Sequence, residues 1–488
     1  MQDISLNLDT AVEAVKARFG GSSDLNIVKL RVSGIKCAIL TLEGMVKNSD
    51  LSNMLFEPLM AFKRKGATAK DVFKFLACVL IASTEQQKLA SVQEICKTLC
   101  CGFAVVLVDG IPMAMAYGAQ GFAHKGISDP TNEADVKGTH EALSDSIRAS
   151  MALIRRRVKS PELRFEFLRV GKLSQTELCL VYVAGKTPEK LKNKVKSRLQ
   201  SVDLDLVLTS GSLIPYIEEH GKSFFSGVST TERPDTLCAK INEGRVAVLI
   251  DGVPYALVCP TLFIENFQTV DDYSEKPFFA TYQRWVRAFA FLAATLLPGF
   301  YVASALHHPE ILSRALHLNL IASQKNTPYS LITEMLIVIV MFEILREAGL
   351  RLPRAIGGAV SIVGGLVIGD AAVKSGLISA PLLIIIGITA TSAFALPSLN
   401  PQLTILRIIN VFAGGYLGFF GLAAVMAVML SNASRTYSFA VPYTAPLAPF
   451  TLKAMRDVVT RASFKRLAKD KIVIENLNGC GGSDGKDD

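Results

Sequence analysis

The chain has 488 residues, of which 50% are hydrophobic and 19% charged, and its 52 Lys and Arg against 43 Asp and Glu leave a net charge of +9. Soluble domains usually carry nearer 25% charged residues, so the composition excludes a disordered polymer and a small disulfide scaffold, and the length allows about three domains. The apolar excess is uneven: residues 1–283 alternate charged and apolar runs, whereas 288–430 is dominated by long uncharged stretches. We expect an α/β cytoplasmic half made of two similar subdomains, followed by an α-helical polytopic membrane domain.

In chain order, the first half contains two near-copies. Val105-Val-Leu-Val-Asp-Gly-Ile-Pro112 matches Ala247-Val-Leu-Ile-Asp-Gly-Val-Pro254, and Cys37-Ala-Ile-Leu-Thr-Leu-Glu-Gly44 resembles Leu178-Cys-Leu-Val-Tyr-Val-Ala-Gly185 at nearly the same offset. An Asp-Gly turn between β-rich runs is the sequence form of a hairpin. Convergence would explain one such match, but two at matched spacing favour duplication. Each copy should open with a strand pair, about 27–43 and 163–184, with a long helix over Glu133–Val158 between the copies. The expected division is 1–130 for the first subdomain, 131–160 for a linker helix, 161–283 for the second subdomain, 284–432 for the transmembrane domain, and 433–488 for a Pro-containing segment and basic tail.

This half carries no Gly-x-x-x-x-Gly-Lys-Ser/Thr loop, no Gly-x-Ser-x-Gly elbow and no His-Glu-x-x-His. Asp109 and Asp251 are assigned to turn geometry, and Thr209–Ser212 lacks the lysine of a phosphate cradle. The nine cysteines form no Cys-x-x-Cys pair, and Cys96 and Cys100 lack the His or acidic partner of a zinc site. We therefore expect a scaffold or assembly module in a reducing cytoplasm, with no catalytic residues, no cofactor and no metal.

The second half holds five hydrophobic segments: Ala288–Leu306, Pro328–Leu345, Ile356–Ser379, Ala380–Leu399 and Leu403–Leu430. A helix needs about 20 apolar residues to cross the hydrocarbon core. Pro298-Gly299 is an expected kink, and Pro309–Ser323 suits a helix lying in the interface. Arg284 and Arg287, then Arg346, Arg351 and Arg354, place the soluble half and the second loop inside. A basic cluster, Lys453, Arg456, Arg461, Lys465, Arg466, Lys469 and Lys471, places the tail inside as well. Juxtamembrane basic residues of this kind meet anionic lipid headgroups, and no nucleic-acid motif accompanies them. An even number of crossings is needed, and we expect four plus one buried non-spanning segment.

Charges inside a membrane are costly and are functional candidates by default. Asp370 and Lys374 lie four apart on one helix face and can pair. Glu334 and Glu343, nine residues apart, point to opposite faces. Glu343 is expected to form an interfacial cluster with Arg346 and Glu347, and Arg407 to snorkel to the cytoplasmic surface. Gly365-x-x-x-Gly369 and Gly414-x-x-x-Gly418 offer faces for close packing, within the chain or around an oligomer axis or narrow pore.

The residues that become specific are Thr231-Glu232-Arg233-Pro234-Asp235, Glu243-Gly-Arg245, Asp271-Asp-Tyr273, Leu297-Pro298-Gly299-Phe-Tyr-Val-Ala303 and Phe342-Glu343-Ile-Leu-Arg346-Glu-Ala-Gly349. Arg351-Leu-Pro353, Ser361–Gly369 and Pro442–Pro449 complete the set, in order from about residue 210 to 450. Together they resemble the GerA family of spore germination proteins, A subunit. Family members usually carry Arg-Gly-Pro ahead of the linker, where this chain has Lys137-Gly138-Thr139.

The resemblance implies a germinant-receptor subunit in the inner membrane of a bacterial spore, partnered by a permease-like B subunit and a lipoprotein C subunit. It further implies a self-associated ring, pentameric, that releases monovalent cations when nutrient binds the complex. Gly365, Gly369, Asp370, Lys374 and Glu334 are then the pore or gating candidates. An accessory paralogue linked to dipicolinate release, a secondary transporter and a membrane-anchored enzyme are the competing readings. The transporter would need an inverted repeat, and none is evident.

Overall fold

The computed structural model describes residues 3–47, 51–79, 85–121, 133, 137–219, 221, 223–325, 327–351, 369–448, 450 and 454–467. The first subdomain runs α1 (Leu8–Arg18), β1 (Leu25–Val32), β2 (Ile35–Leu42), β3 (Gln86–Leu89), α2 (Val92–Cys100), β4 (Phe103–Val108) and β5 (Ala114–Gly118). All pairings in its sheet are antiparallel and the spatial order is β1-β2-β4-β5-β3. The uninterrupted Phe-Ala-Val-Val-Leu-Val of β4 is wholly buried, as a central strand covered on both faces must be. Helix α2 starts at a capping box in which Ser91 and Glu94 satisfy each other's backbone N–H groups.

Next comes α3 (Ile147–Arg157). Among the described residues, the helix expected over Glu133–Val158 is thus confined to Ile147–Arg157. The described residues before it are tied elsewhere: the Leu143 N–H donates to the Glu232 carbonyl at 2.7 Å, and the Lys137 N–H to Asp271 at 3.0 Å. A backbone engaged with distant groups cannot close its own helical ladder.

The second subdomain runs β6 (Leu163–Val170), β7 (Thr176–Val183), α4 (Glu189–Gln200), β8 (Ser229–Thr231), α5 (Pro234–Asn242), β9 (Val246–Ile250) and β10 (Val253–Cys259). Its order, β6-β7-β9-β10-β8, repeats that of the first sheet strand for strand. The Asp-Gly turns have an equivalent extra task in both. Asp109 accepts the N–H of Leu8 at 3.0 Å, and Asp251 that of Ile147 at 3.2 Å. Each carboxylate therefore fixes the first turn of the helix that leads its subdomain, a contact of about 1 kcal/mol, in addition to serving the turn. The subdomains are joined by a buried ion pair, Arg155 Nη2 to Asp24 at 2.5 Å, and by Arg148 to Glu43 at 2.6 Å.

The helical part comprises α6 (Pro277–Leu306), α7 (Arg314–Lys325), α8 (Leu331–Arg351), α9 (Gly369–Lys374), α10 (Ala380–Phe394) and α11 (Asn400–Arg435). Two described helices, Pro277–Leu306 and Pro397–Arg435, are long and apolar enough to cross a membrane. The second is not one rod. Gly418 has φ 60° and ψ −145°, which breaks the helix. Asn410 and Leu422 both reach Gly299, although a straight helix would hold them about 18 Å apart. Met429 and Ala433 share a buried cluster with Leu403 and Leu406. The segment expected to cross once, Leu403–Leu430, therefore goes out and returns. Gly418 is the turn, and it lies against His307 at the end of α6, as Gly414 lies against Gly299 within α6.

This reversal carries the chain back to the α/β half. Phe439 enters the core of the second subdomain beside Leu199 and Val228, and the tail pairs Asp457 with Arg284 at the base of α6 at 3.0 Å. Ser438 and Phe439 are thus part of the α/β packing, and with Asp457 they lie at the same end of the helices as residue 277. Helix α6 continues through Pro298, where the kink is expected.

Candidate functional site

Proline has no N–H, so Pro298 leaves the Ala294 carbonyl without its helical donor. Arg407, 1% exposed, supplies one: its Nε lies 3.3 Å from that oxygen, while Nη1 reaches Glu343 Oε1 at 3.4 Å. Arg407 therefore does not snorkel. One turn on, Asn410 Nδ2 donates to the Thr295 carbonyl at 3.1 Å. These contacts need α6 and α11 in near backbone contact. A Cβ on Gly299 would overlap the Asn410 carbonyl oxygen, and a Cβ on Gly414 the Gly299 oxygen, so glycine is required at both positions.

Glu343 is the hub of the inner end. Arg346 Nη2 lies 2.5 Å from its Oε2, and Thr404 Oγ1 donates to its Oε1 at 3.0 Å. Glu347, expected in the same cluster, turns instead to Arg351 on the surface at 2.6 Å. Glu334 occupies the other end of α8, fully buried, accepting the Ser379 N–H at 2.5 Å. The two glutamates serve separate sites, as their spacing predicts. Glu334 also borders a cavity of about 520 Å³ with Tyr329, Ile337, Met341, Ser375 and Ile378. Glu334 Oε2, Asn410 Oδ1 and Arg407 Nη2 are buried without a hydrogen-bond partner among the described residues.

Of the other predicted residues, Asp370 and Lys374 do pair, at 2.7 Å, but the pair is exposed on α9. Gly369 is buried at the start of that helix. Gly365 and Pro353 lie outside the described residues.

A second polar assembly sits where the α/β half meets α6. Glu232 accepts the Glu133 N–H at 2.9 Å, and Arg233 binds the Glu133 carbonyl at 3.1 Å and Asp235 at 2.7 Å. Pro234 opens α5 at its first position, where a missing N–H costs nothing. Thr139 donates to Asp235 at 3.0 Å, and Lys137 pairs with Glu275 at 2.5 Å. Lys137, the departure from the family pattern, therefore ties the linker to the entrance of α6. Asp272, fully buried, meets Arg284 at 2.9 Å and Arg287 at 2.7 Å. Burial raises its pKa, but the two guanidinium groups outweigh this and hold the carboxyl below the usual aspartate range. The Tyr273 hydroxyl donates to Asp457 at 2.8 Å.

Sequence reasoning sent Arg407 to the surface, gave Asp272 no role beyond its motif, and missed Asp457. The signal for Arg407 was available: a mid-helix proline leaves a carbonyl that some buried donor must satisfy. Chemically, the helical layer offers a row of charged and polar groups and no nucleophile paired with a base. Among the described residues no group of three or more His, Cys, Asp or Glu could hold a metal ion.

The architecture is thus two α/β sheets of one topology leading into a helical part, in which two described helices are long and apolar enough to cross a membrane. The sequence profile described as Bacillus/Clostridium GerA spore germination protein matches residues 13–472. The chain belongs to this family. It is 33% identical over 466 residues to spore germination protein KA of Bacillus subtilis (strain 168), covering 94% of this chain and 85% of that protein. It is 30% identical over 469 residues to spore germination protein GerLA of Bacillus cereus, covering 95% of each. Among solved structures it is similar to the N-terminal domain of the A subunit of the Bacillus megaterium spore germinant receptor GerK3. That match has 24% identity and a TM-score of 0.42, covering 54% of this chain and 98% of that one.

Proposed function

We propose that this chain is the A subunit of a germinant receptor in the inner membrane of a dormant spore, and that a ring of its copies, pentameric, forms the cation-conducting part. The observation that carries the reading is a set of polar groups, fully buried Glu334 at one end of α8 and buried Arg407 on half-buried Glu343 at the other, inside the apolar helical layer of a spore germination family member. Such groups are expensive in a membrane, and carboxylates in a pore attract cations. The exposed Asp370–Lys374 pair beside Gly369 supports a surface of α9 that faces water or another copy. A permease-like B subunit and a lipoprotein C subunit complete the complex, with nutrient bound on B. Opening is then a shift in population between closed and open rings, driven by the difference in nutrient affinity.

The test is potassium release from dormant spores after nutrient exposure, in wild type, in a strain lacking this chain, and in a Glu334→Gln strain. Loss of release for one nutrient on deletion, with slowed release for Glu334→Gln, is the expected result. Unchanged release for every nutrient, with dipicolinate release delayed, would move the chain to the accessory role.

A further inference from the structure

The two subdomains share one topology, yet a matching surface is covered in the first and bare in the second. Residues on this surface can be paired by hydrogen bonds that recur in both. The Glu43 N–H donates to the Asp24 carbonyl at 2.8 Å, and the Ala184 N–H to the Glu162 carbonyl at 2.8 Å. Gly44 and Gly185 follow, with φ of 75° and 78°. In the first subdomain α3 lies on this turn: a Cβ on Gly44 would stand 2.9 Å from the Arg148 carbonyl oxygen and 3.0 Å from the Ala152 Cβ. In the second, a Cβ on Gly185 would meet nothing within 4 Å.

The helix that covers the first turn has its own counterpart. Asp109 holds Leu8 as Asp251 holds Ile147, which pairs α1 with α3. The register agrees with burial: Leu8, Ala11, Val12 and Val15 face the core of α1, as Ile147, Ser150, Met151 and Ile154 face that of α3. Arg148, Ala152 and Arg155, the face of α3 that docks on the first subdomain, therefore correspond to Asp9, Glu13 and Lys16. All three of these are exposed.

We propose that α1 of one copy docks on the Gly185 turn of the next copy, as α3 docks on the Gly44 turn within the chain, so that copies associate head to tail. The occupant is a second copy of this chain because both halves of a joint that already exists within it are exposed, the outer face of α1 and the Gly185 turn, engaged by surface ion pairs of Asp9 with Lys29 and Glu162 with Arg18. Charge follows the same pattern: Lys16 opposite Glu162 repeats Arg155 opposite Asp24, and Glu13 falls over Gly185 beside Lys186. A joint between two different surfaces generates a closed ring when its rotation closes. The inference rests on the self-association proposed above and assigns its contact.

The test uses the full-length protein in membranes. One chain carrying Glu13→Cys and a differently tagged chain carrying Lys186→Cys are co-expressed and treated with a short bis-maleimide. A covalent species containing both tags, absent when either cysteine is omitted, is expected. In parallel, Lys16→Glu should lower the oligomer fraction several-fold, and adding Glu162→Lys should restore it, which separates a lost contact from a misfolded chain. An oligomer of unchanged mass with no cross-link and no charge-swap rescue would overturn this joint while leaving self-association intact. A monomer in native-mass measurements of the wild type would overturn both.

Discussion

At the scale of single residues, close backbone approach decides most. Gly414→Ala places a methyl against the Gly299 carbonyl oxygen, and a backbone contact has no flexible side chain to yield. We expect a loss of about 3 kcal/mol, the upper part of the range for overpacking. Gly387→Ala is the matched control, because its Cβ would meet nothing within 4 Å and the helix gains about 0.5–1 kcal/mol in propensity. Thermal unfolding of the two variants in detergent should move in opposite directions. Arg407→Ala removes the donor from the Ala294 carbonyl and one of two cations from Glu343. A cost of about 3 kcal/mol is expected, and a melting temperature equal to wild type would show that the buried guanidinium contributes nothing.

At the scale of elements, the reversal at Gly418 is the feature most open to measurement. Its φ and ψ fall where only glycine is comfortable. The flanking residues 400–417 and 419–435 form two helices, each about 25 Å long at 1.5 Å per residue. Spin labels at the exposed positions Ile405 and Val428 would stand about 35 Å apart on a straight helix. With adjacent antiparallel helices ~10 Å apart, the expected separation is within about 20 Å. A distribution centred near the longer value would remove the hairpin. The linker ahead of α3 teaches a related lesson, since Glu133, Lys137, Thr139 and Leu143 bind side chains and carbonyls far along the chain. A helix was expected there, and the distant partners that prevent it were not legible.

At the scale of the whole molecule, Asp272 joins the α/β half, α6 and, through Arg284, the tail at Asp457. Its pKa is lowered on folding from 3.8. The stability it supplies is therefore complete above that value and is lost as the pH falls through the lowered one. Asp272→Asn should cost about 3 kcal/mol at pH 7, and its melting temperature should converge on wild type only in strong acid. A gap independent of pH down to 2 would mean that the carboxylate charge is not what holds the junction.

The duplication, the strand pairs, the apolar second half and the absence of catalytic motifs were legible in the sequence, because turn chemistry and local periodicity are written in neighbouring residues. The Asp370–Lys374 pair and the separate sites of Glu334 and Glu343 were legible for the same reason, being fixed by helical spacing. Only the tertiary structure decided that Arg407 is buried beneath Pro298, that the last apolar run folds back at Gly418, and that Phe439 rejoins the second subdomain. Each depends on which distant backbone group lacks a partner or which distant surface is free, and such information exists only once the chain has packed.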